Sequence, residues 1–299
     1  MSHRAAALGV ALALVTGACQ GAGEVAQEVE DAASELASEA RGVASEARDV
    51  ASEARGAVPP EGGARTPAED GGGPAAPQPE TDDHGEVGAN GRAIVRGSVP
   101  NVVVEVDVQE GAEPDPAAID HLVGVLGEVV DKPGGISDAG GNVFSSERST
   151  WTDADLRAAA QQHRSQRSTA DTVAIHLLYV RGRFAQEDTL GLARNASEVA
   201  LFPDRWRQTL GQLLGGARQV EEAVVVHELG HLLGLVNLSY RSEVDHEDPE
   251  HPGHSSSQGS VMYWAIESTA IGQVFDGPPP DRFDEADRAD IEGLKMGRH

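Results

Sequence analysis

The spacing of apolar residues changes along the C-terminal part of the chain, and each pattern predicts an element of secondary structure. Residues 101–108 are rich in valine and alternate with polar residues, which is typical of a strand. From Asp115-Pro116 to Asp131, apolar residues recur every three or four positions and predict an amphipathic helix. Residues 172–180 are almost continuously apolar, which predicts a buried strand.

Further elements are expected on both sides of the buried strand. They are a helix over 154–163 capped at Thr152-Asp153, a short edge strand over 199–202, a long helix over 204–235 that could break at Gly215-Gly216, and an amphipathic helix over 284–295. Strands and helices in this order predict an α+β fold whose N-terminal part is α/β-like.

Three segments of different composition precede this domain, which we expect to span residues 92–299. Residues 1–19 hold a short apolar run that predicts an export signal, and their end, Thr-Gly-Ala-Cys, resembles a bacterial lipobox. An ordinary secretory signal is the alternative. Residues 20–58 contain ASEARGV-like heptads and predict a solvated helical spacer. Residues 59–91 are rich in proline, glycine and acidic residues, which predicts a disordered linker.

Charge and cysteine usage narrow the expected partners and location. The formal net charge of −26 disfavours binding to nucleic acid or to anionic membrane surfaces. Cys19 is the single cysteine, so the chain has no intramolecular disulfide, and a lipid on Cys19 would be its one membrane contact. We expect an exported monomer that is either lipid-anchored in the cell envelope or extracellular.

Candidate chemistry lies in the sequence His227-Glu228-Leu229-Gly230-His231, within the predicted long helix. Residues four apart lie on one face of an α-helix, so His227 and His231 can point two imidazoles at one position. Glu228 can reach a water molecule there. This HExxH arrangement is typical of two zinc ligands and a general base. The apolar residues before His227 indicate a buried helix, where polar side chains need partners such as a metal ion.

The residues around this motif resemble the metzincin metallopeptidases, whose signature is HExxHxxGxxH followed by a turn that contains a methionine. His227, Glu228, His231 and Gly234 match this signature, and residues 260–263, Ser-Val-Met-Tyr, resemble the methionine turn. The resemblance covers roughly residues 100–299. It implies a twisted mixed sheet with an active-site helix and a C-terminal helix, and it places Met262 beneath the metal as a packing element.

The third metal ligand is the point at which the chain departs from the signature, because Asn237 occupies its position. An asparagine oxygen binds zinc weakly compared with imidazole. In matrixins and archaemetzincins, the third histidine lies eight residues before the methionine, and here 262 − 254 = 8. The resemblance therefore favours His254 and makes residues 235–253 an insertion. Archaemetzincins also carry cysteines where this chain has Ser255 and Ser260. The remaining candidates for the third ligand are His246, His251, and Asn237 or a neighbouring aspartate.

The resemblance implies a zinc endopeptidase with one catalytic Zn²⁺ and a peptide or protein substrate. Glu228 would take a proton from the attacking water and pass it to the leaving amine. The edge strand predicted near residues 199–202 could pair with an extended peptide. The acidic residues of the insertion could in addition hold a structural calcium ion; they are Asp245, Glu247, Asp248 and Glu250. The alternative function is a zinc-binding or inactive surface lipoprotein that binds a partner, but the intact Glu228 favours an enzyme.

Overall fold

The computed structural model describes residues 81–186, 188–207 and 214–298. The predicted export signal, the helical spacer and most of the predicted linker lie outside the described residues. No helix among the described residues is long and apolar enough to cross a membrane.

The structure confirms the predicted fold class, a mixed α/β arrangement with a twisted mixed sheet. The strands are β1 (Asn101–Gln109), β2 (Gly135–Asp138), β3 (Val143–Phe144), β4 (Thr150–Trp151), β5 (Thr172–Tyr179), β6 (Arg183–Phe184), β7 (Gly191–Ala193), β8 (Glu198–Leu201), β9 (Glu247–Asp248) and β10 (His251–Ser255). The helices are α1 (Gly91–Val95), α2 (Pro116–Val129), α3 (Asp153–His163), α4 (Asp204–Arg207), α5 (Ala217–Leu233), α6 (Ile271–Val274) and α7 (Glu285–Met296), with a 3₁₀ helix over Trp264–Glu267.

The main sheet runs in the order β2-β1-β5-β8-β7, and β3 also pairs with β1. β1 pairs in parallel with β2, β3 and β5, and β5 pairs in parallel with β8. β7 is antiparallel to β8 and lies at the end of the sheet. β8 therefore has neighbours on both sides, and the prediction of an edge strand over residues 199–202 is wrong. The edge strand is β7, whose three residues are too few to show an alternating pattern in the sequence.

Alternating side chains of the sheet pack into two cores because successive residues of a strand face opposite sides. In β5, Leu177 belongs to the core shared with α2 and α5, whereas Leu178 packs with residues of α3, β4 and β6. Three of the helices begin close to where the sequence predicts. Thr152 and Asp284 cap α3 and α7 through capping boxes, and Asp115 caps α2 by accepting from the Ala117 N–H.

The predicted long helix over 204–235 is interrupted near Gly215-Gly216, as the glycines indicate. Gly216 precedes α5 with φ 144°, and Gly215 has φ 90°. Both values lie in the region that favours glycine, so the backbone turns here before α5 begins. At its other end, α5 stops at Gly234, whose φ of 78° gives a left-handed cap. The helix therefore ends at Leu233, two residues after its second histidine, His231.

The folded contacts begin before the predicted domain boundary at Arg92. The Asp83 carboxylate accepts from the Ser168 N–H at 2.9 Å and lies 3.4 Å from the buried Arg164 guanidinium. Asn90 is also buried, and its side chain bonds to the backbone of Asp82. The last residues of the predicted linker are therefore part of the folded unit, held by polar contacts that composition alone does not reveal.

Candidate metal centre

Three residues of the candidate site lie on helix α5, which is largely buried. Every residue from Ala223 to Leu233 is buried, including His227, Glu228 and His231. The helix packs against α2, α1, β7 and the 3₁₀ helix. A helix that is buried on all sides can carry ionisable residues only if they find partners, which makes the surroundings of these three side chains decisive.

Three histidines, His227, His231 and His254, meet at one side of this helix. The Nε2 atoms of His227 and His231 are 3.0 Å apart. His254, on β10, brings its ring to 5.3 Å from the His227 ring and 4.9 Å from the His231 ring, measured between centroids. Ligand atoms of these histidines and of Glu267 all lie within 4.8 Å of one another. This is the arrangement in which several side chains can share one metal ion.

The orientation of His227 is fixed by the methionine turn. Its Nδ1 lies 2.7 Å from the carbonyl oxygen of Val261, which can only accept, so Nδ1 carries the hydrogen. The lone pair of Nε2 then faces the other histidines. A backbone carbonyl in this position is a usual outer partner of a metal-binding histidine, because it fixes the tautomer and the ring plane.

His254 is held by the pairing of its strand with the same turn. The Ser255 N–H donates to the Met262 carbonyl at 2.8 Å, and Ser255 also forms a β-bridge with Tyr263. Ser260 donates its hydroxyl to Asp287 at 2.7 Å and accepts from the Met262 N–H at 2.8 Å. Both serines are buried, and they form these hydrogen bonds at the two positions where archaemetzincins carry cysteines. Hydrogen bonds therefore shape the segment that brings His254 to the helix.

Met262 lies directly under α5, between the two histidine turns. A Cβ added to Gly230 would come within 2.1 Å of the Met262 sulfur and 3.2 Å of Phe283. Gly230 is thus required for the methionine turn to approach the helix. Met262 is fully buried, and its sulfur packs against the helix at Gly230.

Glu228 is positioned by the edge strand β7. Its Oε2 accepts the Ala193 N–H at 2.6 Å, while Oε1 is buried and has no hydrogen-bond partner. A Cβ added to Gly191 would lie 2.6 Å from Glu228 Oε1, so glycine is needed for this close approach. Burial, followed by repulsion from Glu267, raises the pKa of Glu228 well above its usual value. Such a carboxylate takes up a proton readily.

Glu267 is a residue of the site that sequence reasoning misses. It ends the 3₁₀ helix, and its carboxylate lies 3.6 Å from Nε2 of His227, 3.6 Å from Nε2 of His231 and 3.3 Å from Nε2 of His254. Burial opposes its ionisation, but the three histidine rings outweigh that and hold its pKa well below the usual value. The available signal in the sequence is a single carboxylate five residues after Met262, in an otherwise uncharged stretch.

The other candidates for the third ligand lie elsewhere. His246 is buried against Asp290, with 3.2 Å between its Nε2 and the carboxylate. His251 stacks on Trp264 with 4.3 Å between ring centroids, and its Nδ1 lies 2.8 Å from the Asp248 carboxylate. Asn237 is exposed, has φ 66° and donates to Glu247 at 2.7 Å. Among the described residues, neither His246 nor His251 belongs to the group of potential metal ligands around His227, and the Asn237 side chain is bonded to Glu247 and to the Ser242 N–H.

The acidic residues of the insertion do not assemble a cation site within the described part of the chain. The Glu247 carboxylate accepts from the side chain of Asn237 and from the Gly253 N–H. The Asp248 carboxylate accepts from the Glu250 backbone N–H and pairs with the His251 ring. The single group of three or more potential metal ligands among the described residues is the one around His227. The suggested calcium ion thus has no counterpart in this region.

The described residues of the cluster fit a metal ion such as zinc. Nε2 of His254 and Oε1 of Glu228 are buried without a hydrogen-bond partner, which is costly unless something binds them. Burial lowers the pKa of His231 to about 4, so its ring is neutral near pH 7. Imidazoles beside a carboxylate are a donor set that zinc prefers.

Comparison with known proteins gives fold neighbours at low similarity. No protein-family model and no curated protein matches the sequence. Among solved structures, an archaemetzincin from Methanopyrus kandleri matches with a TM-score of 0.42 and 17% identity, over 67% of this chain and 97% of its own. A zinc-dependent peptidase from Methanocorpusculum labreanum matches with a TM-score of 0.41 and 14% identity, over 63% of this chain and 99% of its own. We therefore base the function on the side chains of the site.

Proposed function

We propose that this protein is a zinc-dependent peptidase that cleaves bonds within extended peptides, with Glu228 as the proton carrier. The observation that carries the proposal is the meeting of three imidazoles, two of them buried and that of His254 13% exposed, beside a buried carboxylate that has one unpaired oxygen. Two histidines in a helix would be weak support, because the spacing is short and recurs by chance. The third histidine comes from a distant strand and reaches the same position.

His227, His231 and His254 would hold the metal through their Nε2 atoms. Zinc, when bound, supplies Lewis acidity that polarises a carbonyl group and lowers the pKa of a water molecule. The Val261 carbonyl keeps His227 in the required tautomer. Met262 packs beneath the helix and keeps the two histidine turns and β10 together. These contacts preorganise the donors before any ligand binds.

Glu228 moves the proton in the proposed reaction. Its free Oε1 accepts a proton from the attacking water, while the Ala193 N–H keeps Oε2 in place. The high pKa of the buried carboxyl favours this uptake. The same oxygen then gives the proton to the nitrogen of the leaving amine, so that Glu228 returns to its starting state.

The substrate would bind along β7. This strand lies at the end of the sheet, and its Ala193 N–H already contacts Glu228. An extended peptide can add to a sheet edge through main-chain hydrogen bonds, which would lay a peptide carbonyl next to the site. The sequence of residues 1–19 further leads us to propose that the protein is exported, with Cys19 as a candidate for lipidation.

The test compares two glutamates of the same helix. Zinc-loaded full-length protein is assayed with casein and a peptide library, beside Glu228→Gln and the control Glu222→Gln, whose side chain pairs with Arg218 at 3.5 Å. We expect Glu228→Gln to bind zinc normally and to lose roughly 10²–10⁴-fold in turnover, the usual contribution of general acid–base catalysis. Wild-type turnover in Glu228→Gln would contradict the proposed role.

A further inference from the structure

We propose that Glu267 is a fourth protein ligand of the resting metal site, and that a substrate must displace it. The inference rests on the proposed function, since it concerns the same metal. In this proposal the three histidines remain bound to the metal throughout. The Glu267 carboxylate occupies the remaining ligand position until a peptide displaces it.

The geometry places the Glu267 carboxylate opposite all three histidines at once. One of its oxygens lies 3.6 Å from the Nε2 atoms of both His227 and His231, and the other lies 3.3 Å from Nε2 of His254. The His254 Nε2 makes no hydrogen bond of good alignment to it. Contacts of this length to three convergent nitrogens are typical of ligands around a shared ion rather than of a single ion pair.

The backbone that carries Glu267 is anchored to the segment before β7. The Leu190 N–H donates to the Glu267 carbonyl at 2.7 Å, and the Thr269 N–H donates to the Asp188 carbonyl at 2.8 Å. Thr189 and Ser268 form a β-bridge between these two hydrogen bonds. The main chain at Glu267 is thus fixed, and rotation of the side chain alone can release the carboxylate.

The side chain has a way out of the site. Its exposed fraction is 31%, whereas His227 is fully buried and His231 is 9% exposed. A carboxylate at the solvent side of a closed cluster can be exchanged for an incoming ligand, while the histidines below it cannot. A peptide pairing with β7 would approach next to the residues that anchor Glu267, so binding of the substrate and release of the carboxylate are neighbouring events.

The consequence is a resting enzyme with four protein ligands. Catalytic zinc sites keep a position open for water or substrate, and closed sites are structural. Displacement of Glu267 converts one state to the other.

Cobalt substitution reports directly on the coordination of the site. Full-length protein is loaded with Co²⁺, and the visible absorption spectrum is recorded for wild type, Glu267→Ala, and the control Glu250→Ala, an exposed carboxylate of the insertion. Each sample is titrated with azide, and zinc affinity is measured by competition with a chromogenic chelator. We expect the spectrum of Glu267→Ala to differ from that of wild type and its azide affinity to be at least about tenfold higher. Zinc should bind at least about tenfold more weakly, the lower bound for losing an outer partner of a ligand.

The outcomes separate this inference from the proposed function. Identical cobalt spectra and equal azide affinities in wild type and Glu267→Ala would overturn the role of Glu267. A wild-type cobalt spectrum that stays unchanged while a peptide hydroxamate inhibits would overturn its displacement. If the spectra differ but no peptide is cleaved, the peptidase function fails and the fourth ligand stands. If wild type binds neither Co²⁺ nor Zn²⁺, the metal site and the role of Glu267 both fall.

Discussion

Two groups of histidine and acidic residues lie in the C-terminal half of the protein, and their environments differ. Around His227, three imidazoles converge, and Nε2 of His254 lacks a hydrogen-bond partner. Around His246, a single imidazole faces Asp290 at 3.2 Å and Asp287 at 3.9 Å. In the first group three rings share one carboxylate, that of Glu267, whereas the second group pairs one ring with two carboxylates.

The difference teaches how to distinguish a ligand from a structural histidine. A carboxylate beside His246 favours its protonated form and raises its pKa, and a protonated ring cannot bind a metal. In the first group, burial lowers the pKa of His231 and keeps it neutral. His246 instead fastens the insertion to α7, since Asp290 also accepts the Val236 N–H. The two groups therefore use the same residue for opposite purposes.

The largest expected effect concerns removal of the metal. Chelation leaves the buried nitrogens of the first group without a partner, so the apo protein should unfold at a lower temperature than the zinc-loaded protein. At free zinc about a thousandfold above the dissociation constant, the difference in unfolding free energy should be about 4 kcal/mol. Thermal unfolding with and without zinc measures it. An unchanged melting temperature would contradict the claim that the first group binds zinc in the folded protein.

A smaller effect is expected when the contact between α5 and Met262 is overpacked. Gly230→Ala would place a methyl group against the Met262 sulfur and should destabilise the fold by about 3 kcal/mol, near the upper end for such changes. Gly124→Ala in α2 is the matched control, since nothing lies within 4 Å of its added Cβ. Chemical denaturation should show a stable control and a destabilised Gly230→Ala. Equal stabilities would show that Met262 does not support the helix.

The second group should respond to pH. The hydrogen bond to Asp290 raises the pKa of His246 above 6.5, and burial raises that of Asp287 to about 6. Both groups bind protons more tightly when folded, so the stability they contribute is greatest at acid pH. The His246 part is present below about pH 6.5 and is lost as the pH rises through its folded pKa.

His246→Gln isolates that contribution, because the amide keeps a donor near Asp290 but does not titrate. We expect the variant to be less stable than wild type by about 1.5–2 kcal/mol at pH 5.5, the lower part of the range for a charged hydrogen bond, and by less at pH 8.5. Urea denaturation at the two pH values measures the change. Zinc content should stay at the wild-type level. A constant difference between the two proteins would exclude the charged form of His246.

The smallest effect is expected at Asn237. This residue has φ 66°, and its side chain joins Glu247 to the Ser242 N–H at the start of the insertion. Because it is exposed, Asn237→Ala should cost only about 0.5–1 kcal/mol in unfolding free energy. Denaturation and zinc analysis of the same sample check this. Loss of zinc would mean that Asn237 belongs to the first group after all.

Local patterns predict much of the fold and part of the site. Capping residues such as Thr152 and Asp284 mark where helices begin, and the four-residue spacing of His227 and His231 fixes their common face. The approach of His254 follows from its distance in sequence to Met262, but only through the family resemblance. For the helix caps and the histidine pair, the determining contacts lie within a turn or a single segment, where the sequence is directly informative.

The remaining features depend on contacts between distant segments. Glu267 reaches the histidines because its backbone bonds to Leu190, and β7 becomes an edge strand because it pairs back onto β8. Neither three-residue strands nor single carboxylates have a periodicity that predicts them. The start of the folded unit before Arg92 has the same origin, since Asp83 is held by Arg164 from another part of the chain.

The zinc content of His254→Ala, measured beside His246→Ala by elemental analysis of the folded proteins, tests the central claim most directly. The account predicts one zinc ion per chain in wild type and in His246→Ala, and a loss of most of the bound zinc in His254→Ala. Full zinc in His254→Ala, or its loss in His246→Ala, would contradict the assignment of the three histidines.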